Sequence, residues 1–275
     1  MNRTGKILKE IFNEEDGYIY IRKVNMGDRR YNTFDFEGER LSLVPLGDFH
    51  IGSPICDLEF VVETIDWIKN MDNVRVIGMG DYINNEHESF GVGSLYEQTM
   101  PPEEQVKLLK KLFMPIKDKI LGIHSGNHER RTWRETGIDI TRLIASDLGV
   151  PYLKWYAMHK IRVGKFNYVI FSTHGSTGAR TSGGKINALK RFQINWEADL
   201  YLMGHVHSKE ASVEEVRYVD TRNKCIKSRK KLFVTTGHST NYEDGYAEFK
   251  NLKPSKKGFA RIDLFGNRFD MHVSV

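Results

Sequence analysis

Leu41-Ser42-Leu43-Val44-Pro45-Leu46-Gly47-Asp48-Phe49-His50 runs an apolar strand into a glycine and then into two metal-ligand types two residues apart. Residues two apart share one side of a strand, and at a strand terminus Asp48 and His50 can both reach one ion. The same texture recurs along the chain. Val74–Met79 leads to Gly80-Asp81, Ile120–Ile123 to Gly126-Asn127-His128-Glu129, Tyr168–Thr173 to His174-Gly175, and Leu200–Met203 to Gly204-His205-Val206-His207. Each apolar run has the length of a buried strand, so each delivers its polar residue to an exposed rim. A lone HxH or GD is a weak signal. Five such elements in series describe a two-metal hydrolytic site, because two cations about 3.5–4 Å apart need a bridging carboxylate, imidazoles and oxygen donors. Asp81 suits the bridge, and Asn127 offers a carbonyl oxygen that adds no charge.

The segments between these strands are helical in pattern. Leu58–Lys69 carries Val61, Val62, Ile65 and Ile68 on one stripe, and Glu103–Phe113 opens behind Pro101-Pro102. Ile138–Leu148 closes at Gly149-Val150-Pro151, and a further helix lies near Ile186–Trp196. Lys160–Val163 and Tyr168–Thr173 read as a hairpin joined at Gly164-Lys165. Upstream, Ile7–Phe12 allows a helical turn and Tyr18–Ile21 alternates like a strand. A βαβ-rich first half and a strand-rich second half predict an α/β fold of two packed mixed sheets with helices outside. Residues 1–275 are expected to form one domain, with 1–40 as an N-terminal extension and 208–275 as a strand-rich C-terminal part. The polar, glycine-containing stretch Tyr82–Pro102 is a candidate substrate loop.

With 275 residues, 40% of them hydrophobic, the chain can bury a substantial core. No apolar stretch approaches the roughly 18 residues of a membrane span, and the first residues lack a signal-peptide apolar region. A cytoplasmic protein with no membrane partner is expected. Cys56 and Cys225 read as two free thiols. The net charge of +5 is modest, yet six of the ten residues Arg222–Lys231 are Lys or Arg, and Lys250, Lys253, Lys256 and Lys257 form a second cluster. Such patches can follow a nucleic-acid backbone, or can be solvated hairpin faces. Gly175-Ser176-Thr177-Gly178 and Gly183-Gly184-Lys185 resemble phosphate-cradling loops but do not match the P-loop pattern. His87, His124 and His159 lack the shared strand-end context and are expected to be structural or exposed.

The order DxH, GD, GNH plus acid, a later His, and GHxH resembles the calcineurin-like metallophosphoesterase family over the 160 residues from Asp48 to His207. The resemblance implies a four-layer αββα sandwich with two central mixed sheets, and two divalent ions. Manganese is the expected ion, with iron, zinc and nickel also compatible. By that resemblance Asp48, His50 and His207 hold one ion, Asn127, His174 and His205 the other, and Asp81 bridges. His128 is the implied catalytic histidine near the leaving group. The family's second acid in GDxxD is Asn84 here, so Asn84 is the expected partner of His128, able to hold the ring but not to stabilise imidazolium by charge. His238, Arg130 and Arg131 are candidate phosphate contacts.

The expected reaction is hydrolysis of a phosphoester by a metal-bridging hydroxide. Asp48-Phe49-His50-Ile51-Gly52 is similar to the DxHxG of DNA-repair exonucleases, which with the basic clusters favours a DNA or RNA phosphodiester. A phosphatase or diesterase acting on a small nucleotide or phosphoprotein is the alternative. A non-catalytic scaffold is a third, though a scaffold has no physical need for seven converging ligands.

Overall fold

The structure is a computed structural model that describes residues 31–87, 96–243 and 245–275. Expectations for Ile7–Phe12, Tyr18–Ile21 and residues 88–95 of the Tyr82–Pro102 stretch fall outside the described residues.

Thirteen strands are described. In chain order they are β1 (Tyr31–Phe36), β2 (Arg40–Gly47), β3 (Val74–Gly80), β4 (Ile120–His124), β5 (Tyr152–Lys154), β6 (Tyr156–Val163), β7 (Phe166–Thr173), β8 (Leu200–Met203), β9 (Lys209–Asp220), β10 (Cys225–His238), β11 (Gly258–Phe259), β12 (Arg261–Phe265) and β13 (Met271–Ser274). The helices are α1 (Leu58–Asn70), α2 (Pro102–Phe113), α3 (Glu129–Thr136), α4 (Ile140–Leu148), α5 (Ser182–Lys190) and the single turn α6 (Tyr246–Phe249). One sheet has the order β13-β12-β2-β3-β4-β5, the other β1-β6-β7-β8-β10-β11 with β9 also on β10. Both are mixed.

Alternation along the strands explains the layering. Leu41 and Leu43 of β2, Ile77 and Met79 of β3, Leu200 and Leu202 of β8, and Leu232 and Val234 of β10 meet in one buried cluster between the sheets. Their alternate neighbours face outward: Val44, Leu46, Val74 and Val76 pack against Val61, Ile65 and Ile68 of α1, Leu109 and Phe113 of α2, and Ile144 and Leu148 of α4. On the far side Tyr201, Met203, Phe171 and Phe233 cover Leu189 of α5. A strand buried on both faces has to be apolar throughout, which is why these segments read as continuous runs. The result is the expected αββα sandwich.

Some boundaries differ from the sequence reading. Tyr31–Phe36, for which the sequence reading gave no element, pairs in parallel with Met158–Val163. Val62 is exposed, because the apolar stripe of α1 is only as wide as Val61, Ile65 and Ile68 require. Asp139 caps α4 by accepting from the Arg142 amide, which starts that helix at Ile140 and leaves Ile138 outside. The hairpin at Gly164-Lys165 is as read, with Val163 opposite Phe166. Both cysteines are free. Among the described residues no helix is long and apolar enough to cross a membrane.

Candidate metal centre

Strand direction assembles the site. β2, β3 and β4 run parallel, as do β7, β8 and β10, so the loops leaving each trio emerge at one edge of its sheet. Asp48, His50, Asp81, Asn127 and His128 leave one sheet there; His174, His205, His207 and His238 leave the other. Three overlapping sets have ligand atoms within 4.8 Å of one another: Asp48–His50–His207, His50–Asp81–His128, and Asp81–His174–His205. Asp81 Oδ2 lies 3.4 Å from His174 Nε2 and 3.9 Å from His50 Nε2, so this carboxylate stands between two groups of imidazoles. Asn127 Oδ1 completes the second group, 3.0 Å from His174 Nε2 and 2.8 Å from His205 Nδ1. In the first group His207 Nε2 lies 3.4 Å from Asp48 Oδ1 and 3.0 Å from His50 Nε2.

The backbone is bent to make this possible. Asp48, His50, Asp81, His205 and His207 all have φ between 46° and 68°, the left-handed region that non-glycine residues rarely occupy. Strain of that kind persists where the surrounding structure over-determines it, and it collects at ligand-binding sites. The glycines of the motifs make room. A Cβ on Gly126 would collide with Asp81 Oδ1, and one on Gly80 would meet the Gly126 amide nitrogen at 2.6 Å. The two loops can touch only because neither residue has a side chain.

Glu129 fixes the same loops from beneath. Its buried carboxylate accepts from the backbone N–H groups of Asp81, Tyr82, Ile83 and Gly126 at 2.7–3.2 Å. Burial, then the charge of Asp81, pushes its carboxyl up to about 7, against those four donors. Tautomers are set in the same way. The Met79 carbonyl accepts from His174 Nδ1 at 2.8 Å, leaving Nε2 facing Asp81 and Asn127. Burial opposes a charge on His174, but the Asp81 and Asp48 carboxylates outweigh it and hold the imidazole up to about 10. His50 is driven the other way, well below its ordinary value, by burial and by His128 and His207. Two buried carboxylates in a nest of imidazoles therefore call for cationic charge at their centre. This donor set, with mixed nitrogen and hard oxygen, fits divalent metal.

His128 stands edge-on to His50, with ring centroids 4.4 Å apart. Its Nδ1 donates to the backbone carbonyl of Asn84 at 2.6 Å. The contact expected from the Asn84 side chain is thus made by its main chain. The carboxylate near His128 comes from Glu86, 4.0 Å from Nδ1, which also pairs with Arg131 at 2.5 Å; Arg131 Nη2 lies 3.2 Å from His128 Nε2. Burial lowers the pKa of His128, with Asp81 opposing and Arg131 adding to the shift. His238 stacks on His207 at 5.3 Å, and Thr240 Oγ1 lies 3.0 Å from His238 Nδ1 and 3.5 Å from His207 Nδ1. Arg130 lies over the rings of Trp155 and Trp133. His124 and His159 are buried on either side of Ser172, whereas His87 is half-buried and pairs with Glu135. Glu86 and Thr240 were not identifiable from motif spacing. Glu129 carried a signal as the acid of the GNH-plus-acid element.

The basic stretch Arg222–Lys231 proves to be largely paired. Lys227 meets Asp220 at 2.5 Å, Arg229 meets Asp199, Lys230 meets Asp270 at 2.9 Å, and Lys231 meets Glu197 at 2.8 Å. Those cations serve the β9–β10 hairpin and its neighbours.

No family model matches the chain, and no curated protein is detectably similar to it. Solved structures with a related chain path include a conserved uncharacterized protein, a predicted phosphoesterase, from Streptococcus pneumoniae, at 15% identity over 86% of this chain and 90% of that one, TM-score 0.39. Vacuolar Protein Sorting 29 from Cryptosporidium parvum is 15% identical over 86% of this chain and 98% of its own, TM-score 0.42. A metallophosphoesterase from Sphaerobacter thermophilus is 13% identical over 86% and 89%, TM-score 0.35. In this chain itself, two mixed sheets lie between helices, with Asp/His clusters at their common edge.

Proposed function

We propose that the protein hydrolyses phosphoesters with two divalent metal ions, and that its substrate is a DNA or RNA phosphodiester. The observation that carries the reading is Asp81, whose one carboxylate faces both His174 and His50. Asp48, His50 and His207 would hold one ion and Asn127, His174 and His205 the other, with Asp81 shared. Bound there, such ions supply Lewis-acid stabilisation of phosphoryl charge and an activated water at neutral pH. Manganese is the proposed ion.

The chain's own groups then have distinct tasks. Met79 and Thr240 orient His174 and His207 through the ring nitrogens turned away from the site. Arg131, held by Glu86, presents a guanidinium beside His128, where a phosphoryl oxygen would arrive. His128, anchored through Nδ1, keeps Nε2 for the leaving oxygen and would deliver a proton from that atom once Arg131 turns to the phosphate.

The test is a substrate panel. Protein freed of metal by chelation and reloaded with manganese is assayed on bis-p-nitrophenyl phosphate, p-nitrophenyl phosphate, and labelled single- and double-stranded DNA and RNA. Turnover of the diester and of a polynucleotide, lost with chelator and restored by metal, is expected. Turnover confined to the monoester would overturn the phosphodiesterase reading.

A further inference from the structure

Beside the metal centre lies a cavity of about 260 Å³ whose wall carries Arg180, Lys185, Lys209, Lys253 and Lys256, opposed by one carboxylate, Glu210. Unlike the cations of Arg222–Lys231, none of these five makes an ion pair or hydrogen bond through its side chain among the described residues. Five like charges gathered around a single counter-charge repel one another, and folding has no use for the arrangement. Lys185 shows the cost: burial lowers its pKa, and Lys253 lowers it further against the opposing effect of Glu210. A second, independent feature points to a ligand. Ser208, also in the wall, is only 4% exposed, and its buried Oγ has no hydrogen-bond partner among the described residues. A buried hydroxyl left unsatisfied costs about 1–3 kcal/mol, and an incoming acceptor oxygen would remove that penalty.

The cavity adjoins the metal centre through the chain itself. Arg180 and Lys185 follow His174 on the segment into α5, and Ser208 and Lys209 follow His207 directly. Gly258 pairs with His238, and a Cβ on Gly258 would lie 2.7 Å from Lys209 Nζ, which brings that ammonium to the neighbouring strand of His238. Gly183-Gly184-Lys185, which fails to match a P-loop, is the first turn of α5 and brings Lys185 to this wall.

We propose that this cavity is an anion subsite for a phosphate group of the substrate other than the one being hydrolysed, which makes the site one for a polyanionic strand. The strand rests on the phosphoesterase reading above; the anion subsite does not. Five cations and a free hydroxyl suit phosphate oxygens, and their spread over three chain segments suits a backbone running past the metals more than a single isolated anion.

The experiment measures anisotropy of a fluorescein-labelled, hydrolysis-resistant phosphorothioate octathymidylate titrated with metal-loaded protein. Lys253 and Lys256 are both exposed. K253E/K256E should weaken binding about tenfold or more and flatten the salt dependence by about 0.7 in log–log slope for each phosphate no longer neutralised. K253R/K256R should bind like the wild type. Glu210→Gln, which removes the lone opposing charge, should tighten binding two- to threefold, an effect that damaged folding cannot imitate. Absence of wild-type binding, equal binding by K253E/K256E at unchanged melting temperature, or weakening by Glu210→Gln would overturn the subsite. Hydrolysis of bis-p-nitrophenyl phosphate by the same wild-type preparation tests the phosphoesterase reading separately. No turnover with binding intact would sink that reading and leave the subsite standing.

Discussion

At the scale of single residues, the site depends on groups that see two neighbours at once. Asp81→Asn should cost more activity than the roughly 10–100-fold typical of changes to outer partners of a metal site. It should also lower the metal content measured by elemental analysis; full metal content with full activity would contradict the shared role. Around His128 the structure moves the acid from position 84 to Glu86, so the two positions should behave differently. A nearby carboxylate favours imidazolium, so Glu86→Gln should lower the pKa of His128 and shift the alkaline limb of the pH–rate profile to lower pH. Asn84→Ala, which keeps the carbonyl that holds Nδ1, should leave the limb in place. An unmoved limb in Glu86→Gln, measured on a substrate with a poor leaving group, would remove Glu86 from this part. Motif spacing made Asp48, His50, Asp81, Asn127, His174, His205 and His207 legible because each follows a buried strand. Glu86 and Thr240 were not legible, since only folding brings Glu86 to His128 and Thr240 to His207.

At the scale of elements, the two sheets are joined by a buried polar link. Ser172 Oγ of β7 lies 2.8 Å from His124 Nε2 of β4 and 2.8 Å from His159 Nε2 of β6. One hydroxyl can donate to only one of the two Nε2 atoms, and the ring that accepts must be neutral. Burial accordingly lowers His159 to about 4 and His124, with His159 adding to the shift, to about 3. Their folded pKa values lie below the unfolded value near 6.5, so the unfolded chain binds more protons in the window between. Stability is therefore fully present above about pH 6.5 and falls as pH drops through the window, by up to about 1.4 kcal/mol per pH unit per histidine. Urea unfolding at pH 7.5 and 5.5 should show the loss, and His159→Gln should show a smaller one. Equal losses in the two proteins would assign the pH dependence elsewhere. Ser172 was not readable as the partner of His124, because β4 and β7 meet only when the sheets pack.

At the scale of the whole molecule, alternation carried the reading a long way: runs such as Val74–Met79 and Leu200–Met203 have to be covered on both faces, and that requirement dictates the four layers. The sheet order does not follow from such runs. That β12 returns to flank β2, with β13 beyond it, depends on pairing across more than two hundred residues. If ions bind only the folded chain, removing them should lower its melting temperature, by an amount that grows with the ion concentration supplied to the control. A chelator-treated protein that melts at the same temperature as one in excess manganese would argue against a resident metal.

The left-handed turns at Asp48, His50, Asp81, His205 and His207 set the terms on which this centre could be lost over evolutionary time. Replacing such a residue by alanine removes a ligand and keeps the awkward geometry; replacing it by glycine removes both, relieving roughly 1–2 kcal/mol per position, less the greater freedom glycine has when unfolded. For the metal-free protein, His205→Gly should thus melt higher than His205→Ala. A lineage released from selection on this centre would slide toward glycine at these corners and become sturdier as it lost its ligands.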